Sequence, residues 1–145
     1  MGEMRLEVVV LPVSDVDRAK TFYQQVGFDL DVDHHSGDEF RVVQLTPPGS
    51  DCSITFGVGL GEMTASPIKG LHLCVADIEE TVAELTDRGI EAAPIRHMGP
   101  KGWEDGPDPE RRKYGSYSSF TDPDDNGWVI QEVGSATSRG ERHES

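Results

Sequence analysis

Apolar and polar positions along this chain switch between strand spacing and helical spacing, and the same switch occurs twice. An apolar run from Leu6 to Val13 leads to Asp15, after which Val16, Ala19, Phe22, Tyr23 and Val26 recur along one face of a helix. With Asp15 as its N-cap and Gly27 as its C-terminal stop, this spacing predicts a helix over residues 16–26. The order returns from Leu71, with an apolar run to Val75, a capping Asp77, a stripe of Ile78, Val82 and Leu85, and a stop at Gly89. Asp77 and Glu80 have the spacing of a capping box, so a second helix is predicted over residues 78–88. At one constant offset Val13-Ser14-Asp15-Val16 matches Val75-Ala76-Asp77-Ile78, and Gly27-Phe28 matches Gly89-Ile90. A strand-helix-strand unit has been used twice.

After the first helix, Phe28 to Val32, Glu39 to Leu45 and Cys52 to Val58 read as strands, parted by the turn signals His35-Ser36-Gly37-Asp38 and Pro47-Pro48-Gly49-Ser50. Ser116 to Thr121 and Gly127 to Val133 complete the second half. Ahead of them a polar insertion from Arg96 to Gly115 interrupts the repeat; it exceeds the roughly 12–15 residues beyond which loops are usually functional or disordered. The reading is a single domain over residues 1–134, with module one at 5–58, a linker at 59–69 and module two at 70–134. Residues 135–145 lack periodicity and read as a flexible tail.

Composition narrows the partners. A net charge of −14 opposes phosphate backbones and anionic membrane surfaces, so neither nucleic acid nor membrane is expected as a partner. No apolar run approaches the roughly 20 residues that span a bilayer and no signal peptide is recognisable, so a cytoplasmic protein is expected. Cys52 and Cys74 both fall in predicted strands, where a free thiol behaves as a small buried hydrophobe, and no structural disulfide is expected.

Three stretches carry a family resemblance: Leu11-Pro12-Val13-Ser14-Asp15 with Ala19, Phe22-Tyr23 and Gly27-Phe28; Leu71-His72-Leu73 with Val75 and Asp77; and Asp122-Pro123-Asp124-Asp125-Asn126-Gly127-Trp128. Together they resemble the vicinal oxygen chelate superfamily of glyoxalases, extradiol dioxygenases and bleomycin-type resistance proteins. The resemblance implies an α+β fold of two tandem βαβββ modules, forming a curved mixed sheet around a cup that holds the ligand. It also implies a homodimer. The turn departs from the family pattern at Asp125, where Gly is common; Asp tolerates left-handed dihedrals, so the turn is expected to survive.

Superfamily members with metal chemistry hold one divalent ion with His and Glu from equivalent strands. The resemblance assigns those positions here to Val8, Gly70, Val129 and one of Ser53 or Thr55, none of which is a His or a carboxylate. No metal is therefore expected at the usual site. The alternative keeps a divalent metal on displaced ligands, with His72, Glu7 and Glu132 as candidates, and makes the protein a glyoxalase-type lyase or an extradiol dioxygenase.

By strand alternation Val10, His72, Cys74 and Gln131 face the ligand side, and the insertion adds Trp103 and Tyr114; these six are the candidate ligand-binding residues. His72 is the candidate catalytic residue if the protein is an enzyme. His97, Met98, Lys101, Arg111, Arg112 and Lys113 equip the insertion either as a lid or as a solvated loop. His34 and His35 point to opposite sides of a strand and cannot serve one site. Trp128 is expected in the core. The reading is a small-molecule binding protein whose ligand is hydrophobic or aromatic.

Overall fold

The computed structural model describes residues 2–60 and 66–134. The tail at 135–145 and part of the 59–69 linker lie outside the described residues. The fold is α+β, built of two tandem βαβββ-type modules, the second with one extra strand, and its strands form two mixed sheets, one of four and one of five strands. The chain divides into two compact units. The first comprises the residues through Ile68 with Asp122–Asn126, and the second Lys69–Thr121 with the residues from Gly127 onward.

In the first unit, β1 (Val8–Val10) is followed by α1 (Val16–Val26), β2 (Asp29–Ser36), β3 (Phe40–Thr46) and β4 (Ser53–Val58). The sheet order is β1-β4-β3-β2, with β1 parallel to β4 and the other pairs antiparallel. The helix begins because the Asp15 carboxylate accepts from the Arg18 N–H at 3.0 Å, satisfying one of the donors a first turn leaves over. It stops because Gly27 takes φ 115°, and its N–H donates back to Tyr23 and Gln24. The face bearing Ala19, Tyr23 and Val26 then buries against Val43, Leu45, Ile54 and Phe56. Tyr23 is the hub, with ring centroids 5.4 Å from Phe28 and 6.0 Å from Phe56.

The second unit runs β5 (Leu71–Val75), α2 (Ile78–Asp87), β6 (Arg96–Gly99), β7 (Gly102–Asp105), β8 (Ser116–Thr121) and β9 (Gly127–Glu132), in sheet order β5-β9-β8-β6-β7. Asp77 caps α2 by accepting from the Glu80 N–H at 3.1 Å. Ile78, Leu85 and Ile90 bury with Phe120, Trp128 and Ile130, and the Phe120 and Trp128 rings stack at 6.0 Å. Trp128 is thus a core residue.

The insertion is not a plain loop. Residues 96–105 form the β6–β7 hairpin, which extends the sheet by pairing β6 with β8 through Arg96 opposite Tyr117 and His97 opposite Ser116. The following segment is tied down by the buried Asp108. Its carboxylate accepts from the N–H groups of Glu110 and Arg112, both at 3.1 Å. The Glu110 N–H holds this carboxyl below its usual range; burial acts against that, and the Arg112 N–H and charge reinforce it.

Candidate functional site

Each sheet has one face covered by its helix and one open face, and strand alternation assigns every residue to a side. In the first unit the register Val8–Ser53, Val10–Thr55 and Thr55–Gln44 puts Val8, Val10, Ser53, Thr55 and Gln44 on the open side. Val10, Val8 and Val32 remain exposed there, which gives this face apolar surface beside its polar Ser53, Thr55 and Gln44. The buried Thr55 hydroxyl has no hydrogen-bond partner among the described residues, whereas its neighbour Ser53 shares a 2.6 Å hydrogen bond with Thr46. An unsatisfied buried hydroxyl costs about 1–3 kcal/mol and is a ready partner for a polar ligand atom.

In the second unit the register lines up Asp105 on β7, Arg96 on β6, Tyr117 on β8, Gln131 on β9 and Cys74 on β5 as one row across the open face. The row on one side of it carries Ser119, Val129 and His72, and the row on its other side carries Met98, with Trp103 opposite Met98 on the edge strand. Five of the six candidate binding residues, His72, Cys74, Trp103, Tyr114 and Gln131, therefore belong to this one unit, and Val10 lies on the open face of the other. An open depression of 590 Å³ lies at one end of this sheet, lined by Lys69, Gly70, Ala93, Ser119, Trp128 and Val129 among others.

Hydrogen bonds through Gln131 organise the face. Its amide nitrogen donates to the Tyr114 carbonyl at 3.0 Å and to the Tyr117 hydroxyl at 3.3 Å, so its oxygen is the atom 3.0 Å from His72 Nδ1. That assignment makes Nδ1 the protonated nitrogen of neutral His72 and leaves Nε2 as a bare acceptor. Tyr114 contributes its carbonyl, from a backbone held at φ 55°. Tyr117 accepts from Gln131 and keeps its own proton to donate.

Trp103 stands beside this group, half exposed, with its ring edge-on to Tyr117 at 5.3 Å and 87°. The Arg96 guanidinium lies 4.6 Å from the Trp103 ring centroid. Arg96 and Tyr117 were not among the sequence candidates, because their place depends on the β6–β8 register. Two other insertion residues, His97 and Arg111, go elsewhere. His97 is buried on the opposite side, 2.8 Å from the Gly106 carbonyl and 3.3 Å from Glu104, and Arg111 reaches Glu79 and Glu132.

The cysteines correct the sequence expectation. Cys52 lies just ahead of β4 and is half-buried, while Cys74 is exposed on the open face beside Gln131; both are free. Cys74 takes the solvent side because alternation gives the covered side of β5 to Leu71, Leu73 and Val75.

The residues at the superfamily's metal positions do not fit a divalent ion. They are two valines, a glycine that precedes β5, and the hydroxyls of Ser53 and Thr55. Among the described residues no group of three or more His, Cys, Asp and Glu side chains converges. The displaced set is not assembled in the second unit either. Glu132 lies on the covered side with Trp128 and Ile130, while His72 lies on the open side of the sheet. Glu7, in the first unit, is exposed and enters the sheet only through its carbonyl, which accepts from the Ser53 N–H.

Among the described residues no helix is long and apolar enough to cross a membrane. Comparison with known proteins agrees with the fold. The family model described as Glyoxalase/Bleomycin resistance protein/Dioxygenase superfamily matches residues 5–130. TnmS3, an antibiotic binding protein from Streptomyces sp. CB03234, is 30% identical with a TM-score of 0.68, over 92% of this chain and 99% of its own. A superfamily member from Sphaerobacter thermophilus DSM 20745 is 25% identical with a TM-score of 0.66, over 90% and 98%. The Bacillus subtilis (strain 168) protein YetH is 25% identical over 88% of this chain and 98% of its own.

Proposed function

Because the chain belongs to the glyoxalase/bleomycin resistance protein/dioxygenase superfamily, we propose that it binds a small aromatic or hydrophobic organic molecule without using the superfamily's divalent metal. The observation that carries this reading is the open face of the second unit. Trp103, Tyr117 and Met98 offer stacking surface there, His72 Nε2 and the Tyr117 hydroxyl offer hydrogen bonds, and Gln131 orients both. Such a face suits a ligand held by apolar contact and fixed by a few polar points. The mismatched donor set at the metal positions supports the metal-free part, and the likeness to an antibiotic binding protein supports capture rather than turnover.

The test is a thermal-shift panel of aromatic antibiotics and planar dyes, run beside calorimetry of nickel, zinc, manganese and ferrous iron on the stripped protein. At a hundredfold excess over Kd a true ligand adds about 2.7 kcal/mol, which for a chain of this size raises Tm by roughly 5–10 °C. No shift with any compound, together with stoichiometric metal binding lost in His72→Ala, would replace this reading with the metal-dependent lyase or dioxygenase.

We also propose that the protein works as a homodimer. Val8, Val10 and Val32 leave apolar surface on the first unit's open face that a second copy would cover. Light scattering should then give twice the 15.9 kDa chain mass. A monomer at micromolar concentration would refute this.

A further inference from the structure

Arg96 differs from every other described arginine. Arg5, Arg18, Arg41, Arg88, Arg111 and Arg112 each pair with a carboxylate, as expected in a chain of net charge −14. Arg96 has no carboxylate partner among the described residues, although Asp105 stands directly across from it on β7. Its guanidinium plane instead rests near the face of Trp103, 4.6 Å from the ring centroid. An exposed cation-π contact of this kind contributes only about 0.5–1 kcal/mol, and it leaves the N–H edge of the guanidinium open. Along the same cross-strand row the Tyr117 hydroxyl has a second donor to give, because Gln131 already supplies the proton it accepts. Two unspent donors thus flank an aromatic corner made by Trp103 and Tyr117 at 87°.

From this arrangement we infer that the ligand of the second unit's open face is a flat aromatic anion, with its ring against the Trp103–Tyr117 corner and its carboxylate, sulfonate or phenolate on Arg96 and the Tyr117 hydroxyl. The inference rests on the binding reading above and narrows it to a chemical class. Arg96 is the specificity residue: it gives a planar fork to an anionic oxygen and offers nothing to a cation. In a strongly acidic protein a single free guanidinium beside two aromatic rings selects for anionic aromatics and against cationic ones.

The test compares naphthoate with the uncharged naphthalenemethanol by calorimetry on the full chain, while NMR follows the indole N–H signals of Trp103 and Trp128. Naphthoate should bind at least about tenfold more tightly, in line with a hydrogen bond to a charged group, and should move the Trp103 signal but not that of buried Trp128. Arg96→Met keeps the aliphatic stem and should bring the two affinities within about twofold, whereas Arg96→Lys should retain part of the difference. Arg96 is exposed, so these variants should melt like the parent. Equal affinities, or a naphthoate preference that survives Arg96→Met, would overturn the anion assignment and leave aromatic binding standing. If neither compound binds at millimolar concentration, the binding reading falls with it.

Discussion

Asp122→Ala should cost about 3–5 kcal/mol and lower Tm by roughly 10–15 °C. Asp122 is buried, and its two oxygens serve different jobs. Oδ1 accepts from the N–H groups of Asp124 and Asn126, both at 2.9 Å, and so closes the turn. Oδ2 accepts from the Tyr23 hydroxyl at 2.7 Å and from the Asn126 side-chain amide at 2.8 Å. Asn126, itself fully buried, passes the network on, donating to the Pro12 carbonyl at 3.0 Å and accepting from the Ile68 N–H at 2.9 Å. Alanine removes every acceptor at once and leaves several buried donors to find water where none can enter cheaply. Asp122→Asn keeps the shape but offers one donor where an acceptor was needed, so it should fall between the two. Thermal unfolding followed by circular dichroism decides the matter; a loss under about 3 °C would mean that the network relaxes without the carboxylate.

This knot was legible in outline. The Asp-Pro turn was recognisable as a motif, and Asp125 takes the left-handed φ of 71° expected of it. Both helices follow from local chemistry, since Asp15, Asp77 and Gly27 act on backbone groups within four residues and need no tertiary partner. The strands Glu39 to Leu45 and Cys52 to Val58 were legible for a similar reason: their alternation is decided by which side α1 covers. Strand alternation was also enough to put Val10, His72, Cys74 and Gln131 on the open sides of their sheets.

The β6–β7 hairpin was not legible, and its composition explains why. Its covered side carries His97 and Glu104, and Gly99 lies against the Glu104 side chain, so no hydrophobic alternation marks either strand. What holds the hairpin is pairing to β8, far along the chain, together with the 2.8 Å contact between His97 and the Gly106 carbonyl. Arg96 and Tyr117 could be brought together only once that register was known. Cys74 was misread by applying a residue-type average where alternation from His72 already gave the answer. Glu132 shows the reverse: alternation from Trp128 and Ile130 was available and placed it on the covered side, away from any displaced metal site.

Glu132→Ala is expected to cost about 2–4 kcal/mol and to disturb the open face without touching it. Glu132 is only 2% exposed, and its Oε2 accepts both the Ile78 N–H at 3.0 Å and the Arg111 guanidinium at 2.7 Å. Ile78 opens α2, so the carboxylate also meets the positive end of that helix. Burial alone would push the Arg111 guanidinium down, but the Glu132 and Glu79 carboxylates outweigh it and keep the group firmly charged. Arg111 in turn pins the segment that presents the Tyr114 carbonyl to Gln131, and Gln131 sets the tautomer of His72. The mutation should therefore speed hydrogen exchange across residues 108–115 and scatter the His72 ring-nitrogen signals, alongside a Tm loss of roughly 6–12 °C. Glu132→Gln retains an acceptor for the Ile78 N–H and should lose about half as much, while Arg111→Met should loosen the segment with a smaller effect on Tm, because Arg111 is partly solvated. If Glu132→Ala lowers Tm yet leaves exchange at 108–115 and the His72 signals unchanged, the carboxylate stabilises α2 alone and the open face is organised without it.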